Sequence, residues 1–382
     1  MKYFDHAAAT PPYEDVVRTV AEVMAAHYGN PSSLHKLGEE SGRLLIKARE
    51  VCAAALGVKL GEIVFTSGAT ESNNLAVKGA AMRYAGRGQH LITTQVEHPS
   101  VWECYIQLEK QGWEVTFLPV DKNGQVSVQD ALDAVRKDTV LLSVMHVNNE
   151  TGCIQPVEEL GRRLKEEHPR VIFHVDGVQG FGKVPLSLMG SGIDLYSLSA
   201  HKLRGPRGAG LLMVREGLSL VPLMSGGGQE DSLRPGTENI PAVVGMAKAI
   251  RLAKEGEQQR ASKLNVLRKQ LIQGLAAWPE LIVHSGEAAA PHIVHFSYPG
   301  MKAEAFLHML EEQGFLVSTK SACSSKKAEP SRVLLAMGAS KAEAESGVRI
   351  SLSEEHRAGD IQELLAAIGK SVDRVRRLKG EN

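Results

Sequence analysis

The chain has 382 residues, which is enough for two or three domains with a sizeable buried core. Lysine plus arginine and aspartate plus glutamate both number 44, and this zero formal charge argues against a general binder of nucleic acids. No apolar run reaches the roughly 18 residues that a membrane helix needs. Asp5 and His6 stand where a signal peptide would have its apolar stretch. We therefore expect a cytoplasmic protein without direct membrane or nucleic-acid contacts.

Apolar runs alternate with helical patterns through the first 250 residues. Strands are predicted at 62–66, 91–96, 114–120, 139–147, 171–175, 193–199 and 209–214, and helices at 71–84 and 156–167. Such alternation predicts an α/β domain with a mostly parallel sheet that helices cover on both faces.

The pattern changes after residue 240. Residues 240–278 are helical and charged, which predicts one long helix joining two domains. Strands at 281–283, 293–298, 315–319 and 347–352, a helix at 303–313 and a charged C-terminal helix then follow. This order predicts a smaller α+β domain.

Ligands of an open α/β sheet bind beyond the carboxyl ends of its strands, so the residues just after each predicted strand are candidate ligand-binding residues. Ser67, Gly68, Ala69 and Thr70 follow the first of these strands and open a helix. Their backbone N–H groups at a positive helix end would form a phosphate cradle. An ordinary helix cap explains the same residues.

Three further side chains follow apolar runs. Asp176 would pair with a cationic heterocycle, or it caps the next turn. Lys202 precedes a glycine-rich loop and is a candidate for a Schiff base, although most lysines are solvated surface groups. His98 is held extended by Pro99 and would lie flat against an aromatic ligand, or it is a plain loop residue.

These features together describe a single ligand. A phosphate cradle, an acid for a ring nitrogen, an aromatic cap and a Schiff-base lysine are what pyridoxal 5′-phosphate needs. An aspartate that keeps the pyridine nitrogen protonated makes the ring an electron sink. The combination predicts this cofactor more specifically than any one of its members.

Longer motifs then identify a family. They are DHAAAT at 5–10, GNPSS at 29–33, GATESNN at 68–74, HVNNETG at 146–152, HVDGVQ at 174–179, SAHK at 199–202, RPGTEN at 234–239 and SACSS at 321–325. With them, nearly the whole chain resembles the NifS/IscS cysteine desulfurases of the class V aminotransferase superfamily. The resemblance implies a fold type I transferase with a large domain at 15–255. Residues 1–14 and 256–382 would form the small domain.

The resemblance also implies a role for each site residue. Lys202 would form the Schiff base, His98 would stack on the ring and shuttle protons, and Asp176 would pair with the pyridine nitrogen. The remaining ligands would be Ala69, Thr70, Ser199 and His201 at the phosphate, Gln179 and Asn149 at the ring oxygen and substrate, and Arg349 at the substrate carboxylate. Thr237 would reach the phosphate of a neighbouring subunit, which implies a homodimer with shared active sites. No metal is expected.

The implied reaction converts L-cysteine to L-alanine and leaves a persulfide on Cys323. A protein acceptor would then take the sulfur for iron–sulfur cluster assembly or for thiolation of tRNA or a cofactor. The segment 318–330 resembles the group with a long mobile loop, although Lys320 stands where many relatives have glycine. Cys52, Cys104 and Cys153 are expected to be structural, and the same fate stays open for Cys323.

Three other function classes stay open. Another pyridoxal-phosphate aminotransferase or lyase, such as a selenocysteine lyase, would not need Cys323. A thiol hydrolase would not need Lys202, and a non-catalytic scaffold would tolerate the loss of both residues.

Overall fold

The apolar runs form the strands of two main sheets in the computed structural model, which describes residues 1–319 and 329–379. The strands are β1 (Lys2–Tyr3), β2 (Ile63–Thr66), β3 (His90–Thr94), β4 (Glu114–Leu118), β5 (Thr139–Met145), β6 (Ile172–Asp176), β7 (Leu195–Ser199), β8 (Gly210–Val214), β9 (Ile282–Val283), β10 (Ile293–Ser297), β11 (Phe315–Leu316) and β12 (Gly347–Ser351). The predicted sulfur carrier Cys323 and its neighbour Lys320 lie outside the described residues.

The helices fill the intervals between these strands. They are α1 (Glu14–Ala26), α2 (Lys36–Leu56), α3 (Ala69–Tyr84), α4 (Pro99–Lys110), α5 (Val128–Asp133), α6 (Val157–Glu167), α7 (Ile240–Glu255), α8 (Glu257–Leu275), α9 (Ala303–Glu311), α10 (Arg332–Ala336), α11 (Lys341–Glu345) and α12 (Ala358–Lys379). Among the described residues, no helix is both long and apolar enough to cross a membrane.

The larger sheet has seven strands in the order β2-β8-β7-β6-β5-β3-β4. The run from β7 to β4 is parallel, and β8 is antiparallel to both of its neighbours. Every residue of β5, β6 and β7 is buried, as expected where helices cover both faces of a parallel sheet. The predicted mostly parallel sheet is therefore confirmed.

Alternate side chains of the central strands enter different cores. Phe173 and Val175 of β6 belong to the core that contains residues of α6 and α7. Ile172 belongs to the opposite core, with Leu75 of α3 and Tyr105 of α4. This alternation follows from the two-residue repeat of a strand.

A third core surrounds the smaller, antiparallel sheet β12-β10-β9. It combines Leu271 of α8 and Ile368 of α12 with Phe4 from the start of the chain. Nearby, β1 pairs in parallel with β11. These contacts agree with a small domain that includes the N-terminal residues, while the domain boundaries stay a prediction.

The predicted long helix over 240–278 is instead two helices that meet at Gly256. The Arg260 guanidinium donates to the carbonyl oxygen of Ala253 at 2.8 Å and of Gly182 at 2.9 Å. A cation that caps the last carbonyl groups of α7 stabilises its end. Helical periodicity does not reveal this contact at the break.

A close backbone contact supports the start of α3. A Cβ atom added at Gly210 would lie 2.4 Å from the Cα atom of Gly68, which is the N-cap residue of α3. We predict that Gly210→Ala lowers the free energy of unfolding by about 1–3 kcal/mol, because backbone atoms must move to make room. Thermal unfolding midpoints measure this loss.

Gly359→Ala is the matched control, since an added Cβ atom there meets nothing within 4 Å and the residue lies in the first turn of α12. Alanine favours a helix over glycine, so this variant should be at least as stable as the parent chain. Equal midpoints for both variants would contradict the predicted clash.

Candidate active site

A cavity of about 460 Å³ opens beyond the carboxyl ends of three parallel strands. The last residues of β5, β6 and β7, which are Met145, Asp176 and Ser199, all line it. Most of the residues that the sequence singled out meet here, namely Ala69, Thr70, His98, Asn149, Asp176, Gln179, Ser199, His201, Lys202 and Arg349. The expectation that strand ends converge on one site is consistent with this geometry.

One predicted site residue, Thr237, does not line the cavity; it is exposed, in the segment between β8 and α7. Cys323 lies outside the described residues. Their predicted roles therefore stay predictions.

One end of the cavity suits an anion. Helix α3 begins at Ala69, and the N–H groups of a first helical turn have no acceptor within their own helix. Ser199 Oγ lies 2.8 Å from His201 Nδ1 at the same end. Burial, followed by the positive charges of Lys202 and Arg207, lowers the pKa of His201 to about 4. The imidazole is therefore neutral at neutral pH.

Asp176 supplies a buried carboxylate at the end of β6. Burial raises the pKa of Asp176. Three opposing effects lower this pKa. The Val178 N–H donates to Asp176 Oδ1 at 3.1 Å, Asn73 Nδ2 donates to Asp176 Oδ2 at 2.9 Å, and Lys202 contributes a positive charge. A cation in the cavity would further favour the charged form of this carboxylate.

Lys202 lies in a single helical turn directly after β7. Its Nζ donates to the carbonyl oxygens of Ala7 at 2.6 Å and Ala8 at 2.7 Å. The Ala7 oxygen also accepts from Gln179 Nε2 at 2.9 Å. These backbone acceptors are not among the predicted site residues, although the DHAAAT motif contains them.

Arg349 closes the cavity from β12 of the smaller sheet. It is only 1% exposed. One terminal nitrogen donates to the carbonyl oxygen of Asn149 at 2.7 Å, and the other pairs with Asp5 Oδ1 at 2.9 Å. Nε has no partner among the described residues. A guanidinium has five N–H donors, so it can still bind a carboxylate.

His98 is the N-cap residue of α4 and is held from its Nδ1 side. The Ser100 N–H donates to Nδ1 at 3.1 Å, and Ser100 Oγ lies 2.8 Å from the same atom. Burial, and then the charges of Lys202, Arg332 and Arg349, lower the pKa of His98 to about 4. Ser100 is not among the predicted site residues, although it stands two positions after His98, in the first turn of α4.

The three described cysteines are buried away from this cavity. Burial raises the pKa of the Cys52 and Cys153 thiols to about 12 and that of Cys104 to about 11. Thiolates are therefore scarce at these positions near neutral pH. Their burial is what the sequence predicted for structural cysteines.

Comparison with known proteins identifies the family. The model of the family described as aminotransferase class-V matches residues 2–364. The chain is 40% identical to a protein named cysteine desulfurase IscS from Methanosarcina thermophila, over 98% of this chain and 93% of that one. It is 44% identical to a NifS/IcsS protein homolog from Lactobacillus delbrueckii subsp. bulgaricus, over 96% of each chain.

Solved structures agree with these sequence matches. A structure titled NifS-like protein superposes with a TM-score of 0.91 at 36% identity, covering 97% of this chain and 99% of that one. Another, of a NifS-like protein from Rickettsia africae, gives a TM-score of 0.88 at 29% identity, over 98% and 99% of the two chains. The predicted fold class is confirmed, and the chain belongs to the class-V aminotransferase family and, within it, to the NifS/IscS cysteine desulfurases.

Proposed function

We propose that this protein is a pyridoxal 5′-phosphate-dependent cysteine desulfurase that converts L-cysteine to L-alanine and keeps the sulfur as a persulfide on Cys323. One observation carries the proposal. A single cavity combines a helix N-terminus, a buried carboxylate, a histidine, a lysine and a buried arginine. Relatives that carry the name cysteine desulfurase align over nearly the whole chain, which supports the choice of substrate.

The residues of the cavity fit the cofactor at each of its functional groups. Its phosphate would lie at the start of α3, held by the N–H groups of Ala69 and Thr70 and by the side chains of Thr70, Ser199 and His201. Asp176 would hold a proton on the ring nitrogen, His98 would cover the ring, and Lys202 would bond to the carbonyl carbon. When bound, the cofactor supplies an electron sink for negative charge at the substrate Cα.

Arg349 supports an amino-acid substrate. Its guanidinium would bind the carboxylate of L-cysteine through paired N–H groups. Asp5 and the Asn149 carbonyl fix the guanidinium, so little side-chain entropy remains to be lost on binding. Lys202 would carry the Cα proton, since its amine lines the same cavity. Gln179 and Asn149 would orient the ring oxygen and the substrate.

Sulfur transfer requires a thiolate. In this step a new S–S bond forms to Cys323 and the C–S bond of the substrate breaks. The electron pair of that bond stays on carbon, which takes up a proton and leaves as L-alanine. Cys52, Cys104 and Cys153 are buried with raised pKa values, so they are poor candidates for the attacking group.

We further propose a homodimer with shared active sites and a protein acceptor for the sulfur. Large apolar side chains are exposed on α1, on α2 and between them, as at Met24, Tyr28, Leu34 and Ile46. Leu34 is 97% exposed. Apolar surface of this kind supports an interface with a second copy. Transfer to an iron–sulfur scaffold protein or to a tRNA-thiolating enzyme would follow persulfide formation.

Lys202→Ala should abolish the yellow colour that a lysine–cofactor bond gives the purified protein, because no other lysine among the described residues lines the cavity. In the parent protein, borohydride should fix the cofactor to the peptide that contains Lys202, as read by mass spectrometry. Lys110→Ala, at an exposed position at the end of α4, is the control and should keep the colour. Label on a different lysine would overturn the assignment.

A mixed dimer tests the shared site. The dimer pairs one Thr237→Val chain with one Lys202→Ala chain. If Thr237 binds the phosphate in the neighbouring subunit's active site, both substitutions fall in the same site, and the other site has the parental Lys202 and Thr237. About half of the parental activity should then survive. The two variant homodimers, measured alongside, must both be inactive for the comparison to count. Near-zero activity of the mixed dimer would mean that each chain builds its own site.

Cys323→Ser separates sulfur transfer from the earlier chemistry. The variant should bind the cofactor and still change its absorbance with L-cysteine, yet release almost no alanine, because a hydroxyl is a poor nucleophile at neutral pH. Mass spectrometry should find no persulfide on it.

The three other cysteine-to-serine variants serve as controls, and each should keep turnover despite some loss of stability. Alanine release by Cys323→Ser at the parental rate would exclude this mechanism. A lyase that needs no thiol would then be the better assignment.

A further inference from the structure

A continuous run of hydrogen bonds joins Asp176 to His98. Asn73 of α3 is fully buried, and its Nδ2 donates to Asp176 Oδ2 at 2.9 Å and to Ser100 Oγ at 2.8 Å. Ser100 Oγ in turn lies 2.8 Å from His98 Nδ1. Three elements, β6, α3 and α4, therefore contribute to one polar network beside the cavity.

The backbone of Ser100 determines which nitrogen of His98 carries the proton. A backbone N–H can only donate, and the Ser100 N–H donates to His98 Nδ1. The nitrogen that accepts has no proton of its own. The low pKa of His98, about 4, makes the ring neutral near pH 7. Its single proton is therefore on Nε2.

The Ser100 hydroxyl reinforces this tautomer. Because Asn73 Nδ2 donates to Ser100 Oγ, the hydroxyl hydrogen remains available for His98 Nδ1. Nδ1 then faces two donors, while Nε2 already holds its proton. A proton could reach Nδ1 only if both bonds from Ser100 broke. In this arrangement neither ring nitrogen is a base.

We propose that Ser100 and Asn73 are positioning residues that hold His98 as the neutral Nε2–H tautomer, so that His98 serves the reaction as a hydrogen-bond donor. The inference rests on the proposed function, which puts His98 beside the reacting groups. It replaces the proton-shuttle role that the family resemblance implied for His98. It also links Asp176 and His98, because one amide group of Asn73 serves both.

Substitution of His98 distinguishes a donor from a proton carrier. Glutamine keeps an N–H donor but exchanges no proton near pH 7, whereas leucine provides neither function. His98→Gln should keep at least about a tenth of the parental kcat with L-cysteine, and His98→Leu should lose about 100-fold or more. Equal losses of that size in both variants, with cofactor still bound, would overturn the proposal.

Ser100 should act only through His98. Ser100→Ala should lower kcat by about fivefold in the parent protein, the usual effect of one lost hydrogen bond. In the His98→Leu protein the same change should have no further effect. Ser143→Ala is the matched control, since this buried serine bonds to Tyr105 and His174 outside the cavity. An equal loss from Ser100→Ala in both backgrounds would contradict a positioning role.

Nitrogen spectra test the tautomer without turnover. In protein labelled with ring-¹⁵N histidine, the His98 signals are those that His98→Gln lacks. Between about pH 6 and 8 they should report a proton on Nε2 and no titration, because burial, followed by the positive charges of Lys202, Arg332 and Arg349, lowers the pKa of His98. A proton on Nδ1, or a midpoint near the ordinary value of about 6.5, would overturn the proposal.

The proposed function and the proposed role of His98 are contradicted by different results. If the parent protein makes no alanine from L-cysteine, the proposed function fails and the nitrogen spectra still decide the tautomer. If the parent protein is active and the spectra show a titrating His98, only the inference fails.

Discussion

The buried carboxylate of Asp176 is the constraint on which the rest of the site depends. A charge without solvent needs hydrogen bonds and countercharge from the protein. Here the donors are the N–H of Val178 after β6 and Asn73 in α3, and the countercharge is the cation of Lys202 after β7. Residues of three parts of the chain therefore stabilise the charge at Asp176. The cavity lies at that point.

The smaller sheet completes the cavity through a second set of buried polar contacts. Arg349 connects β12 to Asp5 and to the Asn149 carbonyl, so both the N-terminal segment and the central sheet hold it. Arg332 in α10 donates to the Glu97 carbonyl at 2.5 Å and lies 3.8 Å over the Trp102 ring. On the other side of residues 320–328, the Ser318 N–H donates to the carbonyl oxygen of Arg349 at 3.1 Å, so the chain on both sides of this segment contacts residues that line the cavity or adjoin it.

The sequence predicts those features of the fold that depend on local pattern. Apolar runs locate the central strands, and polar residues after them, such as Asp176 and Ser199, must then meet at one edge of a parallel sheet. Backbone acceptors such as the carbonyl groups of Ala7 and Ala8 cannot be predicted in this way, because every residue type has a carbonyl group. The buried position of Asn73 is also not predictable from the sequence, since an asparagine inside an amphipathic helix usually faces solvent.

The helix break at Gly256 has the same origin. The Arg260 guanidinium, seven residues after Ala253, caps a carbonyl group at the end of α7 and also reaches the carbonyl oxygen of Gly182. Periodicity describes which face of a helix is apolar but not where one helix ends and the next begins. Contacts between elements, rather than patterns within them, account for what the sequence did not predict.

The burial of Cys52, Cys104 and Cys153 has a practical consequence for chemical labelling. Alkylating reagents react with thiolates, and burial keeps these three thiols protonated and inaccessible in the folded chain. The chain has four cysteines in all, so Cys323 is the one candidate position left for a fluorophore added to the native protein. Labelling at that position would not require Cys52, Cys104 or Cys153 to be removed.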